Sequence, residues 1–397
     1  GLVLLVREER GSFTAAGIVA GAFAIGTAVG SPAWGRTMDV RGPSVPVAIG
    51  SAASAVLIAT LALLPGTAAP LWLVAAVALL AGGALPPVTP AARAAWRKLF
   101  RDEGPVRAAL SFDAAAMEAL FVGGPVLVGL ILAHGGEAAT VLLAALLQAV
   151  GGIGYAATPA ARAVRPSATT GPGSSALAGG SAAGSSTASE GPGFSALAGG
   201  SAAGSSTASG PLPIRRLAGP VGVAAALAVA FGITDTALAA TAREVLHDAT
   251  RVGLLFTAIA GGSALGGIIF GTRHLSPDAE RRALPVLLAA VTAGLLAVPA
   301  ALWSGAALPV VLLLLLLTGL CIAPVLIIVM AQVDSVVPAG RTSEAQAWLA
   351  TATLVGTSAG TPVGGLVVDL LGVPAAYAVA ALAAGAACLL ALFAKRG

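Results

Sequence analysis

The run LPVVLLLLLLTGLCIAPVLIIVMA, residues 308–331, carries no charged side chain in 24 positions. A helix needs about 20 mostly apolar residues to cross the hydrocarbon core of a bilayer, because lipid offers no partner for a backbone amide and a helix satisfies its own. The run therefore reads as a membrane-crossing helix. Working outward from it, ten more windows of the same kind follow, at 14–34, 45–65, 71–92, 108–133, 138–157, 217–240, 252–271, 284–303, 347–368 and 373–393. The segments between them hold nearly all the charge. Across 397 residues, 57% are hydrophobic and 10% charged, with a mean hydropathy of +0.95. A soluble domain carries roughly 25% charged residues, and a disordered chain combines low hydrophobicity with high charge, so both classes are excluded. Cys321 and Cys388 lie in apolar runs and form no disulfide framework.

The beginning is irregular. Residues 1–6 are apolar, too few to span, and Arg7, Glu8, Glu9 and Arg10 follow at once. A signal peptide needs a basic region and a longer apolar core. The expectation is that residues 1–6 are the end of a first helix largely missing from this chain, so that the parent has twelve spans. Cytoplasmic loops hold the excess of Lys and Arg. With residues 35–44 placed in the cytoplasm, seventeen of the 21 basic residues fall on that side, leaving Arg7, Arg10, Arg243 and Arg251 opposite. The pI near 9.7 is thus a topology signal, and no basic stripe suited to nucleic acid is present.

Two repeats divide the chain. GPGSSALAGGSAAGSSTASE at 171–190 is followed by GPGFSALAGGSAAGSSTASG at 191–210. Gly, Ser, Ala and Thr cannot bury enough surface to offset chain entropy, so 159–214 reads as a flexible cytoplasmic linker. The second repeat is structural: Gly26, Gly30 and Gly35 recur at one constant offset as Gly262, Gly266 and Gly271, and the same offset carries Gly124 and Gly129 to Gly360 and Gly365. Small residues four apart on one helical face let helices approach closely in lipid. Two halves of six helices follow, 1–158 and 215–397.

An all-α polytopic membrane protein of two six-helix bundles, eleven complete helices and the end of a first, resembles the major facilitator superfamily. The segment after the second helix, the window at 14–34, carries that family's signature, Gly, three residues, Asp, two residues, Gly, as Gly35, Arg36, Thr37, Met38, Asp39, Val40, Arg41, Gly42. In the family this element is the cytoplasmic gate, which assigns that role to Gly35, Arg36, Asp39, Arg41 and Gly42. Val40 stands where a basic residue is usual, and Pro43 and Ser44 stand where a basic pair is usual. Gly123, Gly124, Pro125 and Gly129 resemble the Gly-Pro element of the family's exporters, a packing and kink feature of helix five. The arginine early in helix four of proton-coupled drug exporters has no counterpart in residues 71–90. The overall Gly, Ala and Pro richness is most similar to actinobacterial members.

An ionisable residue inside a span is costly and hence a functional candidate. Glu118 stands near the midplane of the fifth span and is the candidate substrate-cation partner or proton carrier. Asp113 lies about 7–8 Å nearer the cytoplasm at 1.5 Å per residue, where it either takes part or snorkels to the surface. Asp235 stands toward the outer end of the seventh span, as a gate or capping residue. Phosphate-binding glycine loops ending in Lys-Ser/Thr, HExxH and CxxC patterns do not occur. The expectation is no enzyme, no cofactor and no metal centre. The resemblance implies instead a monomeric secondary transporter in the plasma membrane. The expectation is transport of a small organic solute by alternating access, outward on the strength of the Gly-Pro element and coupled to protons through Glu118. A uniporter and a non-transporting scaffold or sensor of the same fold are the rival expectations.

Overall fold

A computed structural model describes residues 1–64, 67, 69–99, 103–163, 214–272, 276–337 and 342–393. The tandem repeat and most of 159–214 lie outside the described residues. Among those described there is no strand, and the chain forms helices α1 (Leu2–Arg10), α2 (Phe13–Arg41), α3 (Ser44–Leu63), α4 (Leu71–Ala84), α5 (Val88–Leu99), α6 (Glu103–Ala157), α7 (Pro159–Ala163), α8 (Ile214–Ala240), α9 (Val252–Gly271), α10 (Pro277–Trp303), α11 (Leu308–Leu320), α12 (Ile322–Val336), α13 (Thr342–Leu371) and α14 (Val373–Phe393). Nine helical stretches among the described residues are long and apolar enough to cross a membrane, and α4 is a shorter apolar helix.

Several elements differ from the expected windows, each for a local reason. The window at 71–92 is two helices, α4 and α5, because Pro86 and Pro87 follow Leu85, whose backbone is extended (φ −71°, ψ 113°). The window at 308–331 stays one span, with only a turn at Cys321, whose backbone remains in the right-handed helical region (φ −90°, ψ −16°), between α11 and α12. Leu85 and Cys321 are related by the same offset as Gly26 and Gly262. Residues 35–41 are helical, the end of α2 rather than a loop, and the chain turns only at Gly42 (φ 78°) and Pro43. α1 likewise runs on through its charged residues to Arg10.

The fifth and sixth spans form one continuous element, α6, interrupted only at Gly136 (φ 74°, ψ −173°). An uninterrupted helix of 55 residues would be about 80 Å long, far beyond the hydrocarbon thickness. Only glycine adopts that backbone freely, so Gly136 is where the chain reverses. The second arm returns to the start of α3, where the Ser44 hydroxyl donates to the Ala156 carbonyl at 2.7 Å. One end of the bundle, where α7 stops and α8 starts, is the linker end. The other is the far end.

In lipid, helices gain little from burying apolar surface against each other and associate by close packing, which small residues allow. The glycines follow that rule twice over. In the first half a Cβ on Gly26 would run into the Leu79 carbonyl oxygen, and one on Gly82 into that of Phe23. In the second half a Cβ on Gly262 would run into the Leu316 carbonyl, and one on Gly319 into that of Ile259. The α2–α4 crossing and the α9–α11 crossing are the same contact, made at equivalent positions of the two halves. Between the halves, a Cβ on Gly129 would lie 3.0 Å from the Thr250 carbonyl oxygen, and one on its counterpart Gly365 would run into that of Phe13. A pseudo-twofold relation therefore governs both the packing within each half and the packing between them.

Candidate functional site

The polar contacts between the halves, among the described residues, gather at the far end. Arg7, in the last turn of α1, pairs with Glu244 at 3.0 Å. Glu8 pairs with Arg243, which also reaches Glu137 at 3.0 Å. Arg7 additionally lies over the Phe13 ring, 5.0 Å from its centroid. On the opposite side, Arg243 and Glu244 are presented by a π-helical turn, Thr241–Val245, that closes α8. Such a turn inserts a residue into the helical register and is common at functional sites. It is pinned from behind, because the buried Thr241 hydroxyl lies 3.0 Å from the Tyr377 hydroxyl of α14.

A second clasp joins α13 to α2. The first amides of a helix have no intrahelical acceptor, and Asp369 supplies one from the other half. Its carboxylate accepts from the Phe13 N–H at 2.9 Å, the Thr14 N–H at 2.8 Å and the Ser12 hydroxyl at 2.6 Å. The equivalent helix α9 is served within its own half. There Asp248 accepts from the Thr250 N–H at 3.0 Å and pairs with Arg251. The Thr250 hydroxyl and amide, with Arg251, hold the Asp248 carboxyl below the usual carboxylate range. Replacing Asp369 by alanine is expected to cost about 1 kcal/mol, the worth of a helix N-cap reinforced by the helix dipole, read as a lower melting temperature of the purified protein.

The sequence-predicted candidates are placed as follows. Asp113 is not a free carboxylate near the surface. It is paired with Arg93 of α5, whose Nε lies 2.6 Å from its Oδ2, and the Asp113 and Arg93 side chains are 13% and 16% exposed. Arg93, one residue past the window at 71–92, is inside a helix because α5 continues beyond the proline break. Asp235 is buried in α8 between Thr234 and Thr236, and the Thr236 hydroxyl donates across to the Thr361 carbonyl of α13 at 3.2 Å. In the motif at the end of α2, Gly35 is buried and Arg36 and Arg41 are exposed. The side chains of Asp39 and Glu118 lie outside the described residues. Among the described residues, a Cβ on Gly124 or Gly271 would meet nothing within 4 Å, so close approach to those residues is not what these two provide. The Pro125 carbonyl, by contrast, sits where a Cβ on Gly253 of α9 would have to go.

The far-end ion pairs do not follow from the reading of the sequence, where Arg7 and Arg243 stand only as charges opposite the linker. A signal is nevertheless there: Arg7-Glu8 recurs as Arg243-Glu244 at the same offset as the glycines. Among the described residues no three His, Cys, Asp or Glu side chains come together as a metal-ion group.

Fold and contacts define a polytopic membrane protein of two pseudo-symmetric helical halves, closed against each other at one end, the architecture of the major facilitator type. Residues 221–396 match the family model of the Major Facilitator Superfamily. Among solved structures, the chain is similar to a bacterial homologue of the iron transporter ferroportin in an inward-facing state. That likeness has a TM-score of 0.68 and 16% identity, covering 99% of this chain and 93% of that one. It is also similar to the human organic anion transporter MFSD10 (TETRAN), with a TM-score of 0.52 and 20% identity over 94% of this chain and 83% of that one. At these identities the likeness is one of fold. A search of curated proteins returned no match.

Proposed function

We propose that the chain is a secondary transporter of the Major Facilitator Superfamily, moving a small organic solute across the plasma membrane by alternating access. The supporting observation is the seam between the halves. Two sets of helices, equivalent under a nearly constant shift along the chain, meet on glycine backbones, and the polar contacts that join them among the described residues lie at the far end. Two rigid bodies held at one end of a shared seam can rock to expose a central site alternately to either side. With 159–214 in the cytoplasm, as the basic residues favour, the far end is the extracellular one.

Export and proton coupling are the finer parts of the reading. They rest on the Gly-Pro resemblance in α6 and on the mid-span position of Glu118. The test starts from solutes that raise the melting temperature of the purified protein. In inverted vesicles, such a solute is expected to accumulate in proportion to an imposed proton gradient, and Glu118→Gln to abolish the gradient dependence. Flux that ignores collapse of the gradient makes the protein a uniporter. No flux of any stabilising solute removes the transporter reading in favour of a scaffold or sensor.

A further inference from the structure

We propose that Arg7-Glu8 and Arg243-Glu244 form one self-complementary latch, duplicated along with the fold, that sets the far end shut as the resting state. The inference deepens the alternating-access reading and rests on it. In any twofold contact, if residue a of one body touches residue b of the other, then b of the first touches a of the second. Here a is the arginine and b the glutamate. Arg7 of the first half pairs with Glu244 of the second, and Glu8 of the first pairs with Arg243 of the second. The offset between the dipeptides is the one that relates Gly26 to Gly262 and Gly129 to Gly365. Each half thus carries one copy of the same two-charge device at the end of its first helix, and the copies interlock about the pseudo-axis.

The wider charge field breaks the symmetry on one side only. Glu137 adds a second carboxylate to Arg243, while its counterpart in the second half is the apolar Val373. The pairs are partly exposed, with side-chain exposures between 20% and 45%, so each is a modest, water-reachable attraction rather than a buried lock. That suits a contact which must break in every transport cycle.

The self-complementarity makes a prediction that an ordinary cluster of ion pairs does not. Exchanging the residues of one dipeptide, Arg7→Glu with Glu8→Arg, leaves composition and net charge unaltered. Yet it sets Glu against Glu244 and Arg against Arg243, so both pairs become repulsive. Making the same exchange in the second half, Arg243→Glu with Glu244→Arg, restores both. The experiment uses the full chain in nanodiscs with Cys321→Ala, Cys388→Ala and Glu137→Gln, the last so that the reversed position 243 meets no extra carboxylate. Spin labels sit at Thr67→Cys and Ser304→Cys, two exposed turn positions at the far end of opposite halves. Either one-sided exchange is expected to shift the inter-label distances to a longer population, and the two-sided exchange to return them to the starting distribution.

One-sided variants that keep the short distance, or a two-sided variant that stays long, overturn the latch. Should the one-sided variants fail to fold, Arg243→Gln serves instead: a partial shift to long distances supports the latch and an unmoved distribution overturns it. Label distances are read without solute, so the two proposals fail separately. Solute flux with an unresponsive label pair rejects the latch alone. A responsive label pair without flux of any solute rejects transport alone.

Discussion

Replacing Asp113 by leucine is expected to destabilise the protein by about 2 kcal/mol, between the worth of an exposed ion pair and the penalty for breaking a buried one. Its carboxylate lies against Arg93 across the α5–α6 contact, with both side chains largely withdrawn from solvent. Arg93→Met removes the other partner of the same pair and is expected to destabilise as well. The pair of changes together is expected to recover most of the loss, because similar-sized apolar residues often replace a buried ion pair at no net cost. Melting temperatures of the four proteins, taken under one condition, provide the double-mutant cycle. The doubly altered protein also separates structure from transport: solute flux close to that of the parent marks Arg93–Asp113 as a brace, and loss of flux in a fully folded protein marks it as part of the cycle.

The spans were legible because lipid is an unforgiving solvent. Each crossing must be a long apolar helix, so a window such as 308–331 admits one reading whatever its neighbours do. The twofold relation was also legible, because glycines at a crossing cannot drift without a side chain entering the facing backbone, and their spacing survives as a pattern. Helix ends were less so. Nothing in residues 35–41 forbids helix, so the turn waits for Gly42 and Pro43, and the break inside 71–92 comes from two prolines that hydropathy counts as apolar. The far-end contacts were least visible. Arg7 and Glu244 are 237 residues apart, and a charge at the end of a span looks the same whether it faces water or another charge. The Asp369 contacts are hidden for the same reason, since its three partners at Ser12, Phe13 and Thr14 become neighbours only once α13 has packed on α2.

The glycine crossings yield the other large effect, and it should come in matched pairs. Alanine at Gly26 would place a methyl carbon inside the Leu79 carbonyl oxygen and 2.9 Å from the Gly83 amide nitrogen, and alanine at Gly262 would place one inside the Leu316 carbonyl and 3.0 Å from its Cα. These are backbone atoms of a facing helix, so no rotamer relieves the overlap and α4 or α11 must move away. The expected cost is about 2–3 kcal/mol at each site, the scale of overpacking in a tightly packed interior. At Gly124 and Gly271 the same substitution meets no atom of the described residues within 4 Å. There the smaller entropy of the unfolded chain should leave stability unchanged or raise it by about 0.4–1 kcal/mol. Thermal unfolding of Gly26→Ala, Gly262→Ala, Gly124→Ala and Gly271→Ala checks both halves at once. Similar losses at 26 and 262, with none at 124 and 271, tie the damage to the crossings rather than to glycine as such. A loss confined to one half would mean that the equivalent crossings carry unequal load, and the rigid-body rocking that depends on two sound halves would then be pivoting on only one.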